Sequence, residues 1–137
     1  MLIIEHRLVT KAKPQAIWKL WSNLPEWPKW DHEIDWVTFE GPLKEGNWGT
    51  LKPIGGPKVK FKITQISPFQ SFSNCSYLPF TKLTFSHTMA SANGKTTIIH
   101  RAEISGLLSF LFVKIIGNKI KHGLPQAMEN LARLAEG

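Results

Sequence analysis

Apolar and polar positions alternate most cleanly between Lys58 and Ile63, where Val59, Phe61 and Ile63 face one way and Lys58, Lys60 and Lys62 the other. A period of two predicts a strand with one wet, basic face and one buried face. Leu2 to Thr10, rich in β-branched and apolar residues, predicts a strand at the start of the chain. Pro14 then suits the first turn of a helix, and Ile17, Leu20, Trp21 and Leu24 follow at i, i+3, i+4 and i+7, although Lys13 is a poor cap. Pro25 and Pro28 forbid a smooth continuation, so Pro25 to Trp30 predicts a second short helix or a tight turn. Ile34 to Leu43 and Asn47 to Pro53 read as strands joined at Lys44, Glu45 and Gly46; Ile54 to Pro57 reads as a loop. Pro68 ends the lysine-bearing strand, and Gln70 to Tyr77 returns beside it.

The next two strands, Lys82 to Ala90 and Lys95 to Ile104, flank Asn93-Gly94. Both residues tolerate positive φ, which a two-residue hairpin turn requires. That turn fixes the register: Met89 lies opposite Ile98, His87 opposite His100, Phe85 opposite Ala102 and Leu83 opposite Ile104, all on one face. Thr84, Ser86, Thr88, Thr97, Arg101 and Glu103 take the other face, as water would select.

From Leu107 to Ala135 the period becomes helical, with Val113, Ile116, Ile120, Leu124, Met128, Leu131 and Ala135 forming one apolar stripe. Gly123 and Pro125 predict a kink or a break near His122. The connections between strands are too short for crossovers, so the sheet is antiparallel. The expected fold is α+β: one domain over residues 1–137, with about seven strands, two short helices after the first strand and a long C-terminal helix.

Composition adds an unusual feature, for five of the six tryptophans fall between Trp18 and Trp36. Indoles bury large surfaces, so a wide apolar interior is expected, either packed solid or hollow. Cys75 is the single cysteine, which excludes an intrachain disulfide and favours a reducing, cytoplasmic setting. The N-terminal MLIIEHRLV carries charges where a signal peptide needs an apolar core, and Lys114 interrupts the apolar run Leu107 to Gly117, itself too short to span a bilayer. The net charge of +7 reads as an ordinary solvated basic surface, with contact to an anionic group such as a phosphate, a lipid headgroup or nucleic acid as the alternative. No aromatic residue alternates with Lys58, Lys60 and Lys62 on their face of the strand, so no nucleic-acid platform is expected there. SFLFVKIIGNKIKHG is apolar first and basic later; a core face is the expectation, with transient contact to an anionic membrane as the alternative.

Several pieces together resemble the START-like (SRPBCC) superfamily of polyketide cyclases, dehydrases and lipid-transport proteins. They are the short helix with Ile17, Trp18 and Trp21, the WPKW turn followed by Asp31, Phe39-Glu40-Gly41-Pro42 leading to Glu45-Gly46, and the ending GLPQAMENLARLAE. The resemblance runs over essentially the whole chain. It implies a helix-grip fold, a curved antiparallel sheet wrapped on the C-terminal helix, with a mostly apolar cavity between them for a hydrophobic or amphipathic small molecule. It carries no universal catalytic motif, so function stays open among carriers, cyclase or dehydratase-type enzymes and interaction modules such as chaperone activators.

The expected cavity lining is Trp30, Phe61, Ile63, Phe85, His87, Met89, Ile98, His100, Val113, Ile116 and Ile120. Opposed side chains on antiparallel neighbours have Cβ atoms about 4.5–5.5 Å apart, so the imidazoles of His87 and His100 meet. They either hold a polar head or relay a proton in the cavity, which makes them the catalytic candidates, or form a hydrogen-bonded core pair. No third ligand joins them, so no metal is expected, and no cofactor is implied. Trp27 reads as a core plug and Asp31 as a turn cap rather than a general base.

Overall fold

The computed structural model describes residues 1–137. Seven strands form one antiparallel sheet in the order β1-β7-β6-β5-β4-β3-β2, comprising β1 (Leu2–Thr10), β2 (Ile34–Phe39), β3 (Trp48–Pro53), β4 (Val59–Ser67), β5 (Ser71–Leu78), β6 (Thr81–Ala92) and β7 (Lys95–Ser105). Two bulges, between Ile34 and Trp36 and between Ile63 and Gln65, add local bend to the edge and middle of the sheet. The β6–β7 turn has Asn93 and Gly94 at φ 55° and 75°, and the pairs Met89–Ile98, His87–His100, Phe85–Ala102 and Leu83–Ile104 all form as the turn dictates. β2 stops at Phe39, short of the expected Leu43, because Gly41 turns the chain at φ 77° and Pro42 has no N–H to give.

Helix α1 (Pro14–Ser22) and a 3-10 helix (Leu24–Lys29) close one end of the sheet. Lys13 gives α1 no side-chain cap, so α1 is held by burial of Ile17 and Trp21. Helix α2 (Ser109–Glu136) crosses the concave face and packs mainly on β1, β7 and α1. The predicted break does not occur: α2 runs through Gly123 and Pro125 as one helix. The proline forfeits one intrahelical bond, and the burial of Leu124, Ala127, Met128 and Leu131 around it outweighs that loss. The glycines are sites of close approach, since a Cβ on Gly123 would sit 3.2 Å from Glu33 Cγ and one on Gly117 3.3 Å from Leu2 Cδ2.

The apolar stripe of α2 is buried at Leu124, Met128 and Leu131 and half-buried at Val113, Ile116 and Ile120. The core reading fails for three neighbours at the start of the helix, because Phe110, Leu111 and Ile115 point to solvent. The solid core joins Ile17, Trp21, Leu24, Trp27 and Trp30 to Phe61, Ile63, Phe72, Met89 and Ile98 from the sheet, closed by Met128 and Leu131 from α2. No helix is long and apolar enough to cross a membrane.

Candidate functional site

The interior is solid at one end and open at the other. Trp21 fills the solid end, its ring 5.5 Å from Phe72, 5.8 Å from His87 and 5.7 Å from His100. Trp27 stacks on Phe61 at 5.9 Å and donates its indole N–H to the Trp21 carbonyl at 2.9 Å. Beyond these rings a space of about 430 Å³ lies between the sheet and the first half of α2, opening beside the loop Ile54–Pro57.

Of the residues expected to line a cavity, Trp30, Phe61, Phe85, His87, His100, Ile116 and Ile120 border this space. Ile63, Met89 and Ile98 do not; α1, the 3-10 helix and the last turns of α2 cover their part of the sheet and bury them in the solid core. Val113 faces the other side of α2, in a groove of about 590 Å³ shared with Leu2, Ile4 and His6 of β1. Sequence reasoning missed Asn74 and Ser76, both buried, which place an amide and a hydroxyl on the wall from β5. Their facing follows only from the β5–β6 register, Asn74 to Phe85 and Ser76 to Leu83.

The histidine pair forms as its register requires, with ring centroids 4.6 Å apart and the planes at 78°. His87 stacks face to face on Phe72 at 4.0 Å, and its Nδ1 lies 3.3 Å from the Phe72 carbonyl. A nitrogen beside a carbonyl must donate, which assigns the proton to Nδ1 and leaves Nε2 as the acceptor. Burial pushes the His87 pKa down to about 4, against the smaller opposing effect of that hydrogen bond. Burial also holds His100 well below the ordinary histidine range, with His87 and His6 adding to the effect. His100 Nε2 has no partner in the protein. The β1–β7 pairing sets His6 directly opposite His100, so the pair is part of a row of three across β1, β7 and β6.

Asp31 follows the 3-10 helix, and its Oδ1 accepts from the Glu33 N–H at 3.1 Å, the turn-capping contact expected of it. It also borders the open space, where burial raises its pKa to about 6. The Trp27–Asp31 turn is tied to α2 by the buried Asn130, whose Nδ2 donates to the Trp30 carbonyl at 3.2 Å. Trp30 Nε1 is buried and unpartnered, and its ring lies 6.0 Å from His100.

Cys75 lies on the opposite face of β5, near Thr84 Oγ1 at 3.8 Å, away from the histidines. On that convex face Trp48 comes across from β3 to sit opposite Lys62, whose Nζ is 5.9 Å from the indole centroid, and Trp48 meets Tyr77 at 5.7 Å. The lysine row therefore does have aromatic neighbours, from adjacent strands that inspection of β4 alone could not reveal.

The fold recurs in solved structures of low sequence identity. A hypothetical protein of Helicobacter pylori superposes with TM-score 0.81 at 9% identity, covering 98% of this chain and 88% of that one. An aromatase/cyclase from a Streptomyces species gives TM-score 0.79 at 8% identity, over 98% of this chain and 93% of that one. Norcoclaurine synthase from Thalictrum flavum gives 0.72 at 16% identity, over 97% and 85%. No curated protein sequence matches the chain. At these identities the likeness establishes the fold, the helix-grip arrangement of a seven-stranded sheet around a long C-terminal helix. The sequence model of the family described as polyketide cyclase / dehydrase and lipid transport matches residues 1–136, and the chain belongs to that family.

Proposed function

We propose that this protein binds a hydrophobic or aromatic small molecule in the space between the sheet and α2. The observation that carries the reading is the division of the interior: Trp21 and Trp27 pack one end solid, while about 430 Å³ stays open at the other. That volume is within the range of small-molecule pockets. Phe61, Phe85, Ile116 and Ile120 offer apolar area, and Asn74, Ser76, His87 and His100 offer polar groups at one side, which suits a ligand with an apolar body and one polar end. The interaction-module reading rests on a solid interior and loses support from the open space.

The test is native mass spectrometry on protein purified gently from its own host, compared with the denatured mass. A reproducible extra mass, lost on denaturation, is the expected result and identifies the compound. If only bare protein is observed, fatty acids and polycyclic aromatics are titrated while tryptophan fluorescence is followed. No response from any of them, in protein that melts cooperatively, would sink the binding reading.

An enzyme of the cyclase or dehydratase type is the second reading, and one observation favours it. General acid-base chemistry needs a group titrating near neutrality. Asp31, at about 6, meets that condition at the edge of the space, whereas burial keeps both histidines neutral. Turnover of the compound found by mass spectrometry, abolished by Asp31→Asn and retained in His87→Phe, would support this reading; its survival in Asp31→Asn removes the role.

A further inference from the structure

One end of the molecule presents an apolar surface that the fold does not cover. Phe80 is 74% exposed, Leu107 77%, Phe110 61%, Leu111 43% and Ile115 65%. These residues lie close together in the fold. Phe110, Leu111 and Ile115 lie on the first turns of α2, and Leu107 immediately precedes its N-cap Leu108. The Leu108 N–H donates to the Phe80 carbonyl at 3.2 Å, which fastens the β5–β6 turn to the same place. Phe80 holds φ 49°, a conformation that disfavours a bulky side chain. Phe69, in the same conformation, packs its ring against Trp18 at 5.8 Å; Phe80 is left in solvent.

Charge identifies what covers this surface. Lys114, Lys119 and Lys121 follow along the exposed side of α2, and no aspartate or glutamate occurs between Ile104 and Met128. At about 1.5 Å per residue, Lys119 and Lys121 stand roughly 6–9 Å along the helix from Ile115, close enough for their long side chains to reach headgroups beside an inserted apolar end. A second copy docked symmetrically on the same patch would set lysines against lysines. Ile115 and Lys119 also border the mouth of the interior space.

We propose that this end docks on an anionic lipid bilayer, with Phe80, Leu107, Phe110, Leu111 and Ile115 entering the interface and Lys114, Lys119 and Lys121 meeting the phosphates. Docking stands on the surface alone. Its purpose, delivery of a lipid-soluble ligand to a mouth that faces the membrane, rests on the binding function proposed above.

Cosedimentation with phosphatidylcholine vesicles containing about one third phosphatidylglycerol, at 0.1 M and 0.5 M KCl, tests it. Binding to the anionic vesicles is expected to weaken at high salt and on pure phosphatidylcholine. Phe110→Ser with Ile115→Ser, and separately Lys119→Gln with Lys121→Gln, are each expected to weaken it about tenfold or more, since each lysine near such a surface contributes about fivefold. Lys58→Gln with Lys60→Gln, on the convex face, should leave it unchanged. Leu83→Trp, which fills the interior space from its wall, should retain vesicle binding while losing ligand uptake, so the two proposals fail separately. Absence of sedimentation at 1 mM anionic lipid overturns the proposal, as does equal binding by the serine pair, or a concentration-dependent dimer that the serine pair dissociates.

Discussion

Stability should respond to acid through two buried histidines working against one half-buried aspartate. His87 falls from 6.5 to about 4 on folding, so it supports the folded state fully above 6.5 and loses that support as pH drops toward 4. Each pH unit in that interval costs about 1.4 kcal/mol, or about 3 kcal/mol in all for this residue. His100 acts in the same sense. Asp31 acts in the opposite sense, because its pKa rises from 3.8 to about 6; folding favours its protonated form, and the native state gains as pH falls from 6 to 4. Between about pH 4.5 and 5.5 the effects of His87 and Asp31 oppose each other and nearly cancel, so the depressed His100 leaves a net loss of stability as pH falls. His87→Phe keeps a ring stacked on Phe72 and should lower the slope by about 1.4 kcal/mol per unit; Asp31→Asn should raise it by a similar amount. Urea unfolding at several pH values, followed by circular dichroism with the m-value checked for constancy, measures these slopes. A slope for His87→Phe equal to that of the parent would mean that His87 is charged or solvated in the folded protein, and the account of a dry histidine pair would be wrong.

Three further outcomes follow from the packing. Ile98→Ala, in the solid core, should cost about 2–5 kcal/mol in chemical denaturation, while Ile120→Ala, half-buried at the open space, should cost less and weaken ligand binding instead. Asn130→Ala leaves the Trp30 carbonyl without its buried donor and should destabilise by about 1–3 kcal/mol, with the change in tryptophan fluorescence reporting a displaced Trp30 turn. Asn93→Val places a β-branched residue at φ 55° in the β6–β7 turn and should lower the melting temperature by several degrees, consistent with about 1–2 kcal/mol; an unchanged midpoint would show that another turn type is tolerated there.

What the sequence determined was local. Asn93-Gly94 fixed the pairing of β6 with β7 because a two-residue turn admits one register, and that alone brought His87 against His100. Pro14 and the spacing of Ile17 and Trp21 fixed α1, and the stripe from Val113 to Ala135 fixed α2, since periodicity records which face is buried. Contacts between distant segments were decided by the tertiary structure. Pairing of β1 with β7 brought His6 beside His100 from the far end of the chain, and the β5–β6 register turned Asn74 and Ser76 inward while sending Cys75 outward. How far α1 and the 3-10 helix reach over the sheet decided that Ile63, Met89 and Ile98 are core and that Phe61, Phe85 and Ile120 border open space. An apolar residue has the same pattern in sequence whether it faces a tryptophan, a cavity or solvent. Only the packing of one element on another distinguishes Met128 in the core from Ile115 at the surface of the same helix.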